Sequence, residues 1–254
     1  MKRALLAAAA GTALLSGCSS GPKKMPSSEL YLTERMATVF LQQGNANEAE
    51  NAFRQVLVDD PDNPEMRDGH GLALLMLGRP KEARDEFDRA LKIAPKESYL
   101  NNRGVAKMEL GDYAGAEADF LQAYKSPSLA DRQSALINLG RARMRRGIPA
   151  EAEDAFTRAL ALVPDSYEAL MARGEAREAL KNEKGAVEDY LAALKLRAEN
   201  LDAMLHVGMG LLALDNRDLG IRYLRRVTEL APDSPQAARA RLILGEGSSA
   251  TLPE

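Results

Sequence analysis

With a single cysteine in 254 residues, the chain cannot close a disulfide within itself. It has no tryptophan and only two histidines, His70 and His206, each inside a predicted helix without further ligands at short spacing, so both are read as packed side chains and not as metal ligands. Catalytic signatures are missing as well: there is no Gly-x-Ser-x-Gly, no His-Glu-x-x-His, no phosphate loop and no Cys-x-x-Cys. Gly208-x-Gly210 follows no strand pattern, so it is not read as a dinucleotide turn. The chain also lacks an excess of positive charge, with 34 Lys and Arg against 37 Asp and Glu. A modestly acidic chain without a basic stripe is a poor nucleic-acid binder. The basic group Arg141, Arg143, Arg145 and Arg146, with Arg132 and Arg158 nearby, is read as a solvated helix face balanced by Glu151, Glu153 and Asp154, the alternative being a contact for an acidic partner segment. These absences leave an expectation of no enzyme, no cofactor, no metal, no nucleic-acid partner and no small-molecule substrate.

What is present is a repeat. A small residue recurs about every 34 positions at Ala49, Ala83, Ala116, Ala152, Ala186 and Gly220. Four residues after each comes a large apolar side chain: Phe53, Phe87, Phe120, Phe156, Tyr190 or Leu224. Three residues further on sit Val56, Ala90, Ala123, Ala159, Ala193 and Val227, and before the anchors stand Ala37, Gly71, Gly104, Gly140, Gly174 and Gly208. Spacings of three, four and seven put such residues along one helical face, and the small ones mark close helix approach. This is the tetratricopeptide pattern, and it predicts an all-α solenoid of helix-turn-helix repeats.

Six repeats are expected over residues 30–234. Gly44, Gly78, Gly111 and Gly147 fall in the turns within repeats, Pro80 and Pro149 in first turns of helices, and Pro61, Pro95, Pro164 and Pro232 past helix ends. In the weaker fifth and sixth repeats Lys181 and Asp215 replace the turn glycine. An insertion around Ser126 to Arg132 predicts a longer loop after the third repeat. Residues 235–244 read as a capping helix with Ala237, Ala238, Leu242 and Ile243 inward and Arg239 and Arg241 outward, and Gly245 stops it. Residues 245–254 are too polar and short to fold and are expected to be disordered.

At the other end, Lys2 and Arg3 precede the apolar run Ala4 to Leu15, which is too short to span a bilayer and has the layout of a cleaved export signal over residues 1–17. Leu15-Ser16-Gly17-Cys18 resembles the bacterial lipobox, so Cys18 is expected to carry a covalent lipid. Loss of Lys2 and Arg3 with the signal takes the balance to 32 − 37 = −5. Residues 18–29, rich in Ser, Gly, Pro and Lys, read as a flexible tether. Two or three acyl chains hold a protein firmly at a membrane without spanning it. In lipoproteins of this kind Ser19 after the cysteine resembles the signal for the outer membrane.

Known tetratricopeptide folds line their concave surface with the first helix of each repeat. Counting off those positions gives Leu41, Leu72, Leu75, Met76, Val105, Met108, Ile137 and Met144 as an apolar trough, with Asn101 and Arg141 beside them. Methionine suits a surface that adapts to a peptide. The alternative is that some of these side chains pack between adjacent helices. The Lys and Asn set that clamps a C-terminal carboxylate in some chaperone-linked repeats is missing, since the fifth positions read Glu34, Asp68, Asn101, Ile137, Met171 and Leu205.

The lipobox, the six repeats, Leu100-Asn101-Asn102-Arg103-Gly104 opening the third repeat, and Ser126-Pro127-Ser128 running to Asn138-Leu139-Gly140 together resemble the outer-membrane pilotin lipoproteins of type IV pilus systems, the PilF, PilW and Tgl group. Repeat number, cap and length resemble the Tgl branch most. The resemblance implies a non-enzymatic, lipid-anchored adaptor at the periplasmic face of the outer membrane. Its implied partner is a secretin subunit of the pilus machinery, which such proteins carry to the membrane and help to multimerise. A general scaffold for envelope assembly, in cell-wall synthesis or outer-membrane protein insertion, uses the same solenoid.

Overall fold

The computed structural model describes residues 25–246. The signal segment 1–17, the lipobox Cys18, the tether up to residue 24 and the tail from 247 lie outside the described residues. Within them the chain forms thirteen helices and no strand. They are α1 (Ser27–Gln42), α2 (Ala46–Asp59), α3 (Pro64–Met76), α4 (Pro80–Ile93), α5 (Glu97–Glu109), α6 (Tyr113–Ala123) and α7 (Leu129–Arg145). After these come α8 (Pro149–Leu162), α9 (Tyr167–Ala179), α10 (Glu183–Leu196), α11 (Leu201–Ala213), α12 (Arg217–Leu230) and α13 (Pro235–Leu244). Each helix packs on the next in sequence, giving six antiparallel pairs and a cap. This is the predicted all-α tetratricopeptide solenoid.

The repeat residues explain the stacking. In five repeats the large anchor side chain lies against the small residue of its partner helix. A Cβ placed on Gly104 would sit 2.5 Å from the Phe120 ring, and one on Gly140 would sit 2.4 Å from Phe156. Only glycine lets the two helices come that close. Phe87, Phe120, Phe156 and Tyr190 are essentially sealed from water. Burial of each such ring contributes about 1.5–3 kcal/mol.

Helix ends follow the local chemistry. Asn63, Asp112, Ser128, Ser166, Asn182, Asn200 and Ser234 each accept a backbone N–H of their helix's first turn. Pro80 and Pro149 start α4 and α8, and Pro61, Pro95, Pro164 and Pro232 stand just beyond α2, α4, α8 and α12. The turn glycines Gly44, Gly78, Gly111 and Gly147 are left-handed, with φ between 69° and 79°. Lys181 and Asp215 adopt the same conformation at φ 60° and 61°, so the fifth and sixth repeats keep the turn without the glycine.

Three details differ from the sequence reading: a helix start, a helix length and the inner face of the cap. α1 begins at Ser27, so residues 27–29 are helical and not tether. Thr33 Oγ1 bonds back to the Glu29 carbonyl at 2.9 Å, and the backbone N–H of Met25 donates to Asp59 Oδ2 at 3.0 Å, tying this first turn down. The insertion after the third repeat lengthens the loop as expected, to residues 124–128 where the other inter-repeat loops have three or four residues, and it also lengthens a helix, since α7 runs 17 residues where other first helices after α1 run 13. Ser128 caps it, and the buried Ser126 hydroxyl donates to Asp131 at 3.0 Å. The cap spans 235–244 as expected and stops at left-handed Gly245, but Ala237 and Ala240 point inward while Ala238 and Leu242 are exposed. Spacings of three and four from Ala237 set its inner face, and apolarity alone had placed Ala238 and Leu242 there.

Candidate functional site

The odd-numbered helices meet across repeats: α1 touches α3, α3 touches α5, α5 touches α7, and α7 touches α9, whereas even-numbered helices make no contacts of comparable extent with one another. The first helices therefore form the inner, concave wall of the solenoid. Polar bonds tie that wall together. Asn102 Nδ2 donates to Asp68 at 2.9 Å, Asn138 Nδ2 to Asn101 Oδ1 at 3.0 Å, Arg141 pairs with Glu168 at 2.6 Å, and His206 Nδ1 lies 2.9 Å from Glu178. Asn101 and Arg141, singled out from sequence, thus spend part of their bonding capacity within the molecule.

The expected trough is only partly free. Ile137 is 4% exposed and belongs to the core around Leu136, Leu139 and Phe156, so its assignment to the binding surface is overturned. The fifth position carries no guarantee of exposure, since Leu205 at that position of α11, a first helix of ordinary length, is likewise only 3% exposed. Leu41, Leu72, Leu75, Val105, Met108 and Met144 are half-buried, each resting on a core cluster with one edge to solvent. Met76, at the end of α3, is 50% exposed and is the freest of the set. The wall therefore offers a row of apolar edges from Leu41 through Met144, with Met76 standing out at one side.

Further along, the wall changes character. α9 and α11 lack the contacts that join the earlier first helices, and a cavity of about 470 Å³ lies there, lined by Arg141, Glu168, Met171, Glu175, Asp202 and His206 among others. His206 stacks on Tyr190 with ring centroids 4.8 Å apart. Burial opposes its protonation, but the hydrogen bond and charge of Glu178 outweigh it and hold His206 above its usual pKa. Glu175 is exposed at the rim, yet the walls around its carboxyl push its pKa up. In the first half Asp68, raised by burial to about 6, is the corresponding group.

Both histidines are packed, as expected: His70 lies 3.5 Å from Glu50 and 3.9 Å from Glu86. The basic cluster is balanced, but chiefly by residues outside the expected set. Arg143 bonds Glu117 at 2.9 Å, Arg146 pairs with the same carboxylate, and Glu153 goes to Arg177 at 2.7 Å. Sequence reasoning missed the buried pairs Arg103–Asp119 at 2.7 Å and Arg173–Asp189 at 2.6 Å. Their signal is an arginine immediately before the packing glycine, with an aspartate 16 residues on. Among the described residues no group of three His, Cys, Asp or Glu is placed to hold a metal, and no helix is long and apolar enough to cross a membrane.

A solenoid of paired helices whose inner wall is built from first helices is a scaffold fold. Family models for the tetratricopeptide repeat match residues 35–98, 101–166, 137–200 and 202–234, and the chain belongs to that family. Among curated proteins, the type IV pilus assembly protein PilF of Pseudomonas aeruginosa is 27% identical over 124 residues, covering 48% of this chain and 49% of PilF. The rat DnaJ homolog subfamily C member 3 is 26% identical over 208 residues, 76% of this chain and 41% of that protein. The human tetratricopeptide repeat protein 13 is 29% identical over 132 residues, 52% of this chain and 15% of its own length. The chain thus spans less than half the length of each of these relatives. Among solved structures, PilW, described as a widely conserved type IV pilus biogenesis factor, superposes with a TM-score of 0.77 at 19% identity over 86% of this chain and 100% of that one. Pseudomonas aeruginosa PilF superposes with a TM-score of 0.73 at 20% identity over 86% and 98%. At such identities the superpositions show the shared fold.

Proposed function

We propose that this chain is a lipid-anchored adaptor of type IV pilus biogenesis, a pilotin that holds a segment of a secretin subunit along the apolar half of its concave wall and promotes multimerisation at the outer membrane. The observation that carries the reading is the row of half-exposed Leu and Met edges from Leu41 to Met144, a surface that costs free energy while it faces water. Similarity to PilF in sequence, and to PilF and PilW over nearly all of their solved chains, supports the pilus setting. The lipobox at Cys18 supports the anchor. A bound apolar segment would shield its own aggregation-prone surface in transit, and tethering would concentrate subunits at the membrane without new contacts.

The choice of test residue follows from the burial. Charges at Leu72 or Met108 would strike the core beneath them, whereas Met76→Glu places a carboxylate on exposed surface. That variant should melt like the wild type and reach wild-type abundance while secretin multimers fall several-fold and monomers accumulate. Leu110→Glu, exposed outside the trough, serves as control. Normal multimers with Met76→Glu would remove the trough as the secretin site. Normal multimers after deletion of the gene would remove the pilotin reading and leave the general envelope scaffold.

A further inference from the structure

The two ends of the solenoid are finished differently. At the C-terminal end α13 covers the last repeat. At the N-terminal end nothing among the described residues covers α1, whose only buried residue is Ala37. Its outer face carries Leu32, Met36 and Val39, exposed by 59%, 52% and 43%. Their separations of four and three place them on one stripe. One repeat on, the same positions are Met66, His70 and Ala73, and in the third repeat they are Tyr99, Arg103 and Ala106. There the preceding repeat covers them: Ala73 and Ala106 are fully buried and Tyr99 nearly so. The first repeat therefore presents a stacking face on which nothing among the described residues stacks.

We infer that this α1 stripe rests on the surface of the bilayer into which the Cys18 lipid inserts. The inference rests on the lipid-anchor reading above. The chain outside the described residues joins α1 at this end, and from Cys18 to Met25 it is short enough that Met25 stays within about 25 Å of the lipid even when fully extended. α1 itself, 16 residues, is about 24 Å long, so the whole stripe lies within reach. Three side chains bury far less than the roughly 800 Å² per partner that a stable interface between copies needs. A tethered surface needs no such area, because the anchor already supplies a high effective concentration. An amphipathic helix lying at the headgroup boundary is a known solution for a shallow apolar stripe. Tyr31 at the edge, with Arg35 5.9 Å over its ring, supplies an apolar body with a polar tip and a cation of the kind that suits that boundary. Docked this way the solenoid stands end-on, and its concave wall stays open to the periplasm.

The chain has no tryptophan, so Met36→Trp creates a single reporter, and Cys18 gives a single attachment point. The mature chain from Cys18 onward, coupled through that thiol to a maleimide lipid in phosphatidylcholine–phosphatidylethanolamine vesicles, should show blue-shifted emission from the introduced indole that doxyl-labelled lipids quench at least twofold. Leu242→Trp, on the exposed face of the cap at the far end, should stay unquenched. Leu32→Glu with Val39→Glu in the Met36→Trp background should abolish the quenching with melting unchanged. Unshifted, unquenched indole emission from the Met36→Trp variant overturns the inference. So does a blue shift that grows with protein concentration without vesicles, which would mean that a second copy covers the stripe. The tether is made chemically, so failure here is separable from failure of lipidation, which is read by whether Cys18→Ala leaves the membrane fraction of cells.

Discussion

The first four repeats and the last two share one frame but finish their inner walls differently. From α1 to α7 the wall is a row of aliphatic and methionine edges, Leu41, Leu72, Leu75, Met76, Val105, Met108 and Met144, whose outer sides meet no protein partner among the described residues. From α7 onward Arg141 pairs with Glu168, Glu178 with His206, and Gln236 with Asp202, around a cavity of about 470 Å³. The lesson is that the solenoid separates its tasks. Packing of anchor on glycine runs through every repeat after the first and makes the frame, while the lining of the wall is free to differ. An apolar segment gains by covering the first stretch, whereas on the second it would displace bonds already made.

The largest expected effect tests the shared frame. Gly104→Leu in the first stretch and Gly174→Leu in the second both drive a side chain into a buried ring, since a Cβ alone would lie 2.5 Å from Phe120 or from Tyr190. Each should lose about 3 kcal/mol, the upper end of overpacking, and the two losses should be similar. Glu109→Ala, exposed at the end of α5, should change little. Denaturant titration of the three variants decides this. A large loss in one stretch and none in the other would mean that the frame is not shared.

A smaller effect separates the two walls by pH. Asp68 has its folded pKa raised to about 6 from an ordinary 3.8, chiefly by burial, so its charge costs stability above pH 6 and the cost fades between 6 and about 4. Asp68→Asn should therefore be more stable than the wild type at pH 7 and should lose the rise in stability between pH 6 and 4. His206 is also raised, but for a base the sign inverts. Its pairing with Glu178 stabilises fully below its ordinary value of 6.5 and is lost as pH climbs through the folded value. His206→Gln should flatten the profile above pH 6.5 and leave the acid side alone. Thermal melts across pH 4–9 would show two distinct windows. One window abolished by either variant would mean that the two walls titrate as one.

The frame was legible in the sequence because it repeats: a glycine, a small anchor and an aromatic at fixed spacing admit one packing, and Gly104 lies against Phe120 as that spacing requires. The cap's limits were legible from Ser234, Pro235 and Gly245. The wall was less so. Whether an apolar side chain on a first helix faces solvent depends on how that helix packs on its neighbours, and Ile137, like the fifth-position Leu205, is buried while Met76 stays out. Helix α1 gave little sign that it would start at Ser27, since the backbone just ahead of it, at Met25, is held by Asp59 some 34 residues away. The cavity lies where α9 and α11 lack the contacts that join the earlier first helices, and no local pattern encodes that gap.

The smallest effect concerns the turns, where the same division recurs. Four repeats place glycine at the left-handed turn residue, and the last two place Lys181 and Asp215 there at φ 60° and 61°. A side chain in that conformation costs about 1–2 kcal/mol, less for aspartate, which tolerates it better than lysine. Glycine removes that cost but adds freedom to the unfolded chain worth about 0.5–1 kcal/mol. The balance favours Lys181→Gly by about 0.5 kcal/mol and leaves Asp215→Gly near neutral. In a domain of this size that is a rise in Tm of about 1–2 °C for the first and no clear change for the second. The reverse exchange, Gly147→Lys, should cost the first stretch about what Lys181→Gly returns to the second. A fall in Tm for Lys181→Gly would mean that the lysine side chain contributes more to the fifth repeat than its strained backbone costs.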